Sequence, residues 1–455
     1  MRQWDPRLSL RIYKRLAPAG QFRIAPPALL AAGFLALIFV GALLLWLPIS
    51  VHKPVSFLNS LFSATSAVTI TGLSTVDIGN TYTVFGQAVL ATLVQLGGLG
   101  FVTFSIVAIL TLGKRISLQH QALAQEAFNQ TNVSMVRHIA AAILKITLFA
   151  EAIGIVLFTL RWWHDTTLTN ALGRAIFHTV AAFNNAGLMI SSTQLTQYQH
   201  DAFIILLTSV LVIVGGLGFS VIDDVRSKKS WKALSPYSRV AIITTLGLNL
   251  TGFALIWLFE RHNPATLGNL SWTDQGLAAW FQAVTTRTAG FNSVDIGGLT
   301  DSTTLLMMLL MFIGGGSLGL AGGIKIGTFV VLMAAAYAYV FQRPQVVLAG
   351  RAVPDDAVQK ALALLLITVT LVFVATLVLT VTESAPFLSI AFEVISAIST
   401  TGLTRGITAD LSVWGRLFII MLMFIGRLGP LTLIYSLSIK RRGLIRYPES
   451  VFQVG

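Results

Sequence analysis

The sequence predicts an all-α polytopic membrane protein built from four parallel repeats, and three observations support this fold class. The composition is 55% hydrophobic and only 11% charged, whereas soluble proteins carry about 25% charged residues. Apolar runs long enough to span a membrane recur along the chain, at 26–47, 203–222, 361–380 and 417–437. One short glycine-containing pattern also occurs four times, which indicates internal repetition.

The repeated pattern is an aromatic residue, nine further residues and then a glycine. Its four instances occupy 62–72, 177–187, 280–290 and 392–402. A second glycine-centred cluster follows each instance, at 97–100, 215–218, 314–316 and 426–429. Four similar units in one membrane chain predict pseudo-fourfold symmetry about a shared pore.

The basic residues predict the orientation of the chain in the membrane. The formal net charge is +13, and 21 of the 31 Lys and Arg residues fall in five clusters. These clusters share one side of the membrane if every block between them crosses it an even number of times, which is the positive-inside pattern. We therefore expect both termini in the cytoplasm, an inner (plasma) membrane location and contact with anionic membrane lipids, rather than binding of nucleic acid.

The basic clusters divide the chain into four blocks. The expected boundaries are a cytoplasmic leader at 1–23, pore repeats at 24–113, 137–223, 239–342 and 357–438, and a cytoplasmic tail at 439–455. In each block, a long apolar helix precedes a shorter segment that ends near the repeat glycine, and a second apolar helix follows. The predicted unit is therefore helix, pore helix, helix.

The short segments predict re-entrant pore helices. Segment 55–69 has about 15 residues, which at about 1.5 Å per residue cannot cross a hydrocarbon core of about 30 Å. Irregular backbone at that depth is tolerated only where it lines a cavity or is buried in protein. The expected N-caps are Ser56 for the first short helix and Thr273 or Asp274 for the third.

The second helix of block three is predicted to be interrupted. Its apolar stretch, 302–341, is about twice the length of one span, and six of the ten residues in 314–323 are glycine. Each glycine weakens a helix by about 1 kcal/mol relative to alanine. We therefore expect two half-helices joined by a flexible intramembrane loop, with Lys325 directly after it.

The segments that end at the four repeat glycines are the candidate cation-binding segments. Cation selectivity filters use rings of backbone carbonyls that replace the hydration shell of the ion, and glycine allows the non-helical backbone that this requires. The alternative, close packing of helices at small residues, explains one glycine better than four in register. The candidate filter residues are Thr69, Ile70, Thr71, Gly72, Asn184, Asn185, Ala186, Gly187, Arg287, Thr288, Ala289, Gly290, Ser399, Thr400, Thr401 and Gly402.

The sequence contains no credible catalytic constellation. It has no cysteine, which excludes disulfides, thiolate metal sites and thiol catalysis. It also lacks an HExxH motif and a Walker loop, and its glycine clusters lack a strand–loop–helix context. We therefore expect neither an enzyme nor a nucleotide site in this chain.

Six motifs carry a resemblance that covers essentially the whole chain. They are SAVTITGL (66–73), AFNNAGL (182–188), RTAGFNSVD (287–295), STTGLT (399–404), IGRLGPLT (425–432) and YPE (447–449). The chain resembles the Trk/Ktr/HKT superfamily of potassium transporters, and most resembles the membrane subunit of a bacterial Ktr system. The resemblance implies a homodimer of single-chain pseudotetramers and a cytosolic ring-forming regulatory subunit of the RCK type that binds ATP/ADP or NAD(H). It also implies that Gly72 favours potassium, since a serine there would indicate more sodium transport.

Two charged residues, Lys325 and Arg427, lie in otherwise apolar sequence. A charge at such depth costs about 2.5 kcal/mol or more and is a functional hypothesis by default. We expect Arg427 to donate hydrogen bonds to carbonyls of the loop 314–323 and to help hold a gate shut below the filter, where the resemblance also implies a gate. The alternatives are a purely structural bond for Arg427 and a lysine that reaches to the interface for Lys325. The candidate gate residues are Gly314, Gly315, Gly316, Ser317, Gly319, Gly322, Gly323, Lys325 and Arg427.

Together these observations predict potassium uptake through a selective, channel-like pore driven by the membrane potential. Potassium is the expected transported ion, and sodium dependence is left open. The nearest alternative is a coupled sodium/potassium symporter. Secondary transporters often contain inverted repeats, whereas each block here begins and ends on the positive side, so that the repeats are parallel. Parallel repeats favour the pore.

Overall fold

The computed structural model describes residues 26–112, 133–191, 194–317 and 319–429 of the 455-residue chain. The predicted leader, the predicted tail and most of the segment between the first two blocks lie outside the described residues. The described part is mainly helical. Its two-stranded antiparallel hairpin is formed by β1 (Val347–Leu348) and β2 (Arg351–Ala352).

The helices follow one another in four units, each with a long helix, a short helix and a second apolar helix. Unit one contains α1 (Pro26–Trp46), α2 (Phe57–Thr69) and α3 (Val84–Leu112), with a single-turn helix, Ile78–Thr81, after α2. Unit two contains α4 (Val133–Trp162), α5 (Leu168–Phe183), α6 (Ala202–Leu217) and α7 (Phe219–Ser227). Unit three contains α8 (Pro236–Glu260), α9 (Trp272–Thr285), α10 (Asp301–Phe312) and α11 (Ile326–Val340). Unit four contains α12 (Asp355–Thr382), α13 (Phe387–Ile398) and α14 (Val413–Leu428).

The four short helices, α2, α5, α9 and α13, have 13, 16, 14 and 12 residues. At about 1.5 Å per residue they are roughly 18–24 Å long, which is less than a hydrocarbon core. Ser56 caps α2 as predicted and accepts a hydrogen bond from Asn59 N at 3.3 Å. The predicted cap of α9 was wrong, because Ser271 holds that position and accepts from Asp274 N at 3.3 Å. Asp274 instead lies in the first turn, where its charge complements the helix dipole.

Several of the long helices match the dimensions of a membrane. Among the described residues, Ala141–Trp162, Pro236–Glu260 and Asp355–Thr382 are long and apolar enough to cross one, and the bent pair α6 and α7 can provide a fourth span. Shorter apolar helices include α10, α11 and α13. Large apolar side chains are exposed on the long helices, for example Phe149 at 71% and Phe373 at 68%. Exposed apolar surface of this kind marks contact with a membrane or with other proteins.

The second helix of every unit leaves helical geometry at or beside its glycine cluster. The sequence predicted such a break in unit three alone, where the chain is non-helical between α10 and α11. The helices of the other units break as well. α3 is kinked at Gly100 (φ 12°, ψ −89°), α6 and α7 form an angle of 95° around Gly218, and α14 ends before Gly429 (φ 84°). Glycine reaches these angles because it has no Cβ, so the glycine clusters allow these departures from helical geometry.

Candidate functional site

The four repeat glycines form a closed ring of backbone contacts. A Cβ atom added to any of them would overlap the backbone of the next unit. The shortest such distances are 2.6 Å (Gly72 to Ala186 O), 2.8 Å (Gly187 to Gly290 Cα), 2.3 Å (Gly290 to Thr401 O) and 2.1 Å (Gly402 to Thr71 O). The order of units around the ring is therefore one, two, three, four and back to one, and no side chain fits between neighbours.

The backbone before each ring glycine is left-handed at one non-glycine residue. These residues stand two positions before the glycine and are Ile70 (φ 54°), Asn185 (φ 57°), Thr288 (φ 67°) and Thr400 (φ 47°). The ring glycines also have positive φ, from 63° to 96°. A left-handed non-glycine residue costs about 1–2 kcal/mol, and strain of this kind clusters at functional sites. The same strained geometry occurs at four equivalent positions, which indicates that the four segments serve the same function.

The carbonyl groups of these segments accept no hydrogen bond from the residues that the structure describes. No hydrogen bond between described residues ends on a backbone carbonyl oxygen of any of the sixteen candidate filter residues. Buried carbonyls are otherwise paired almost without exception. The ring therefore presents a set of acceptors that a bound cation could satisfy.

Two of the four segments are held by a serine that the sequence analysis did not single out. Ser66 Oγ accepts from Gly72 N at 3.0 Å, and Ser396 Oγ accepts from Gly402 N at 3.0 Å. Both serines precede the ring glycine by six residues. Units two and three have Ala181 and Val284 at that position, so the sequence does contain the signal that separates units one and four from the other two.

The second glycine clusters allow the second helices to approach the ends of the short helices. A Cβ on Gly97 would lie 2.0 Å from Val68 O, and one on Gly215 would lie 1.9 Å from Phe183 O. Gly426 has the same relation to Ile398 O, at 2.1 Å. These glycines therefore serve close helix packing, as small residues do in membranes, and they support the ring from behind.

The loop 314–323 packs against the bend of unit two. Gly316 N donates to Gly216 O at 2.8 Å, and Leu320 N donates to Gly215 O at 3.3 Å. A Cβ on Gly218 would lie 2.4 Å from Ser317 O. The contact is therefore made between two glycine-rich backbones, one from unit three and one from unit two.

The far end of the loop reaches the ring segments. Gly322 N donates to Thr288 Oγ1 at 3.2 Å, and a Cβ on Gly322 would lie 1.9 Å from Thr400 Oγ1. A cavity of about 280 Å³ is lined in part by Gly72, Gly187 and Gly402 and by no residue of the loop. A second cavity of about 260 Å³ lies on the loop side, and its lining includes Gly322, Lys325, Ser399 and Arg427.

Arg427 and Lys325 both bind loop carbonyls. Arg427 Nη1 donates to Leu320 O at 2.7 Å, so the predicted bond to the loop is present, and Nη2 donates to Gly97 O at 3.1 Å. Lys325 Nζ donates to Ala321 O at 2.5 Å. Arg427 thus connects the loop to unit one, whereas Lys325 bonds within its own segment.

Arg287 is the third residue with a cationic side chain that contacts the loop, and the sequence did not predict this contact. Its backbone belongs to the third filter segment, but its side chain, only 6% exposed, turns toward the loop. Nη2 donates to Gly314 O at 2.8 Å, and Nη1 donates to Thr245 O at 3.3 Å. Three cationic side chains therefore occupy carbonyls at Gly314, Leu320 and Ala321.

Four helical units with apolar helices long enough to cross a membrane indicate the class, a helical membrane protein. The chain belongs to the TrkH family, because the family model described as "Cation transport protein" matches residues 26–241 and 236–442.

Two relatives are similar to the chain over nearly their whole length. The chain is 41% identical over 427 residues to the Ktr system potassium uptake protein B of Bacillus subtilis, covering 94% of this chain and 96% of that one. It is 37% identical over 442 residues to the potassium/sodium uptake protein NtpJ of Enterococcus hirae, covering 95% and 98%. The crystal structure of the potassium transporter TrkH from Vibrio parahaemolyticus matches with a TM-score of 0.69 at 21% identity, covering 90% of this chain and 85% of that one, which establishes the shared fold.

Proposed function

We propose that this protein takes up potassium across the bacterial inner membrane through a selective, channel-like pore. The observation that carries the proposal is the glycine ring together with the four segments that end at its glycines, whose sixteen carbonyl oxygens accept no hydrogen bond from described residues. Carbonyl rings select potassium by replacing its hydration shell. The names of the 41% identical relatives in Bacillus subtilis and Vibrio alginolyticus, both Ktr system potassium uptake proteins B, support the choice of ion.

The membrane potential is a sufficient driving force for this pore. A potential of 100 mV contributes about 2.3 kcal/mol per elementary charge. At about 1.4 kcal/mol per factor of ten, this corresponds to roughly fortyfold accumulation of potassium. Uptake therefore needs no nucleotide hydrolysis by this chain. The proposal also requires that the four pore repeats be parallel and that both termini lie in the cytoplasm.

The loop 314–323 is the proposed gate below the filter. Arg287, Arg427 and Lys325 place basic side chains on its carbonyls, so that a cation leaving the ring meets occupied acceptors and the like charge of the two arginines. Opening must break some of these bonds. We assign control of the loop to a cytosolic ring-forming subunit of the RCK type that binds ATP/ADP or NAD(H), and the transporting unit to a homodimer. The word "system" in the names of the Ktr relatives supports additional subunits.

A coupled sodium/potassium symporter is the second candidate function. The name of the Enterococcus hirae relative, a potassium/sodium uptake protein, favours it. The two functions differ when the sodium gradient is removed at constant membrane potential. A pore continues to conduct potassium under that condition, whereas a symporter stops.

The test is potassium uptake in a bacterial cell that lacks its own uptake systems, with a cognate cytosolic subunit present and with or without sodium. The chain is expected to restore growth at low potassium, and failure to do so would count against the proposal. Gly72→Ser probes the ring, because Gly72 has φ 96° and a Cβ there lies 2.6 Å from Ala186 O. With a left-handed strain of about 1–2 kcal/mol, discrimination against sodium should fall roughly tenfold or more. Unchanged selectivity would remove Gly72 from the filter.

A further inference from the structure

Behind the second filter segment lies a closed triangle of three side chains from three helical elements. Glu151 on α4 accepts a hydrogen bond from Asn184 Nδ2 at Oε1 (3.1 Å) and another from Gln95 Nε2 at Oε2 (3.2 Å). Gln95, on α3, accepts from the same Asn184 Nδ2 at 2.9 Å. Asn184 follows the last residue of α5. The triangle thus joins a buried carboxyl group to the residue where the second filter segment begins.

Burial of the Glu151 carboxyl group has a free-energy cost. It is 5% exposed, and none of the five ion pairs between described residues includes it. A buried carboxylate without a cation is destabilising unless its hydrogen bonds compensate, and ionisable groups inside membrane segments mark function. Packing of α4 against α3 and α5 alone would be served at lower cost by an apolar residue.

The triangle controls a residue whose neighbour has a strained backbone. Asn185, directly after Asn184, is left-handed with φ 57°, and Gly187 completes the segment with φ 63°. The Asn184 amide is enclosed on its other side, because a Cβ on Gly98 would lie 1.9 Å from Asn184 Oδ1. Its Nδ2 also lies 2.9 Å from Val180 O, so the two N–H groups of Asn184 are shared among three acceptors. The orientation of Asn184 is therefore fixed by bonds on one side and close contact on the other.

We propose that Glu151 is a positioning residue for ion selection, acting through Asn184 on the second carbonyl segment. The inference rests on the potassium-selective pore proposed above. Units one and four use a different device, in which Ser66 and Ser396 bind the ring glycine N–H groups. Unit two has alanine at that position, and the Glu151 triangle supplies the missing restraint from behind the short helix.

The decisive variant is Glu151→Gln, which keeps the shape of the side chain. A glutamine has one acceptor oxygen instead of two, so one of its two amide donors, Asn184 or Gln95, loses its partner. The apparent KM for potassium and the inhibition of uptake by sodium are measured in cells with the full chain and its cytosolic subunit. We expect discrimination between potassium and sodium to fall roughly fivefold or more, the size of one lost hydrogen bond, with the amount of protein in the membrane little changed.

Exchange of the two residues separates positioning from a merely structural role. The double variant Glu151→Gln with Gln95→Glu keeps one carboxyl and two amides in the triangle, because Gln95 Oε1 already accepts from Asn184. It should recover at least half of the lost selectivity. The matched control is Glu383→Gln, whose carboxylate binds Ser412 N (2.9 Å) and Ser412 Oγ (2.5 Å) at the start of α14. The control should leave ion selectivity as in the wild type.

The outcomes distinguish this inference from the proposed function. A wild-type protein that takes up potassium and sodium equally would overturn the potassium-selective pore itself. A selective wild type with an equally selective Glu151→Gln variant would overturn the role of Glu151 alone. If Glu151→Gln does not reach the membrane, Gln95→Met tests the inference instead, because it removes one hydrogen-bond donor to the Glu151 carboxylate. Unchanged discrimination between potassium and sodium in that variant would again refute the inference.

Discussion

The glycine ring and the loop 314–323 are both glycine-rich, but they use their backbone carbonyls in opposite ways. In the ring, no described residue donates a hydrogen bond to the sixteen carbonyls of the filter segments. In the loop, Arg287, Arg427 and Lys325 occupy the carbonyls of Gly314, Leu320 and Ala321. A cation would therefore find free acceptors in the ring and occupied acceptors in the loop. In the pore that we propose, this difference separates the filter, which attracts ions, from the gate, which excludes them.

The two regions also differ in how tightly their geometry is determined. Each ring glycine is confined by the backbone of its neighbour and has positive φ, so any side chain there overlaps the neighbouring backbone and strains the segment. The loop is held by backbone hydrogen bonds to unit two and by side-chain hydrogen bonds. Such bonds contribute about 0.5–1.5 kcal/mol each, and about 1.5–3 kcal/mol when a charged group is involved. Changes in the ring should therefore abolish selective transport, whereas changes around the loop should shift an equilibrium between closed and open forms.

The largest effect is expected for Gly402→Ala. The new Cβ would lie 2.1 Å from Thr71 O at a residue with φ 90°. Overlap and left-handed strain together cost about 3 kcal/mol or more, which predicts a loss of selective potassium uptake of roughly 100-fold. Uptake of potassium and sodium by cells that carry the variant measures this loss.

Gly276→Ala is the matched control for the ring. Gly276 lies inside the short helix α9, and a Cβ there has no atom within 4 Å. Alanine in a helix is about 1 kcal/mol more favourable than glycine, so this variant should transport normally and be slightly more stable. Equal activity of Gly402→Ala and Gly276→Ala would refute the ring as the selective element.

The ring could be located from sequence because its signal is local and repeated. An aromatic residue, a short helix and a glycine recur four times, and a helix too short to span is recognised from its length alone. The contacts of the loop could not be located in the same way. Arg287 was placed in the filter by its position before Gly290, but the direction of its guanidinium depends on α8 and on the loop, which are distant in sequence.

The bends at the glycine clusters also could not be predicted from the sequence alone. Units one and two contain the identical sequence GGLG, at 97–100 and 215–218. The first cluster kinks α3 at Gly100, whereas the second turns the chain by 95° at Gly218. The backbone of the loop lies against the second cluster, through Gly316 N and Gly216 O. Glycine permits either bend, and tertiary packing selects between them.

Arg427→Ala should have the second largest effect and the opposite sign. It removes the hydrogen bonds to Leu320 O and Gly97 O. In the proposed gate, at least one of these two bonds holds the loop closed. Loss of about 1.5–2 kcal/mol from the closed form raises uptake in the absence of the cytosolic subunit by roughly 10- to 30-fold. Potassium flux without that subunit is the measurement.

Arg416→Ala is the control for that variant, since Arg416 lies on the same helix, α14, but binds elsewhere. Its guanidinium donates to Leu411 O, Asn59 Oδ1 and Ala409 O, away from the loop. Flux without the cytosolic subunit should stay at the wild-type level in this variant. If flux without the cytosolic subunit also stays at the wild-type level in Arg427→Ala, the bonds of Arg427 are structural and do not contribute to gating.

The smallest effect is expected for Tyr237→Phe, which tests the loop without changing any charge. Tyr237 Oη accepts from Ser317 N at 2.6 Å, and its removal leaves that loop N–H without its partner. A loss of about 1 kcal/mol from the closed form predicts a roughly fivefold rise of flux without the cytosolic subunit. Tyr339→Phe, at a side chain that is 85% exposed on α11, should change nothing. Because ring geometry is untouched, the ratio of potassium to sodium uptake should stay constant in Tyr237→Phe, and a fall in that ratio would contradict the separation of filter and gate.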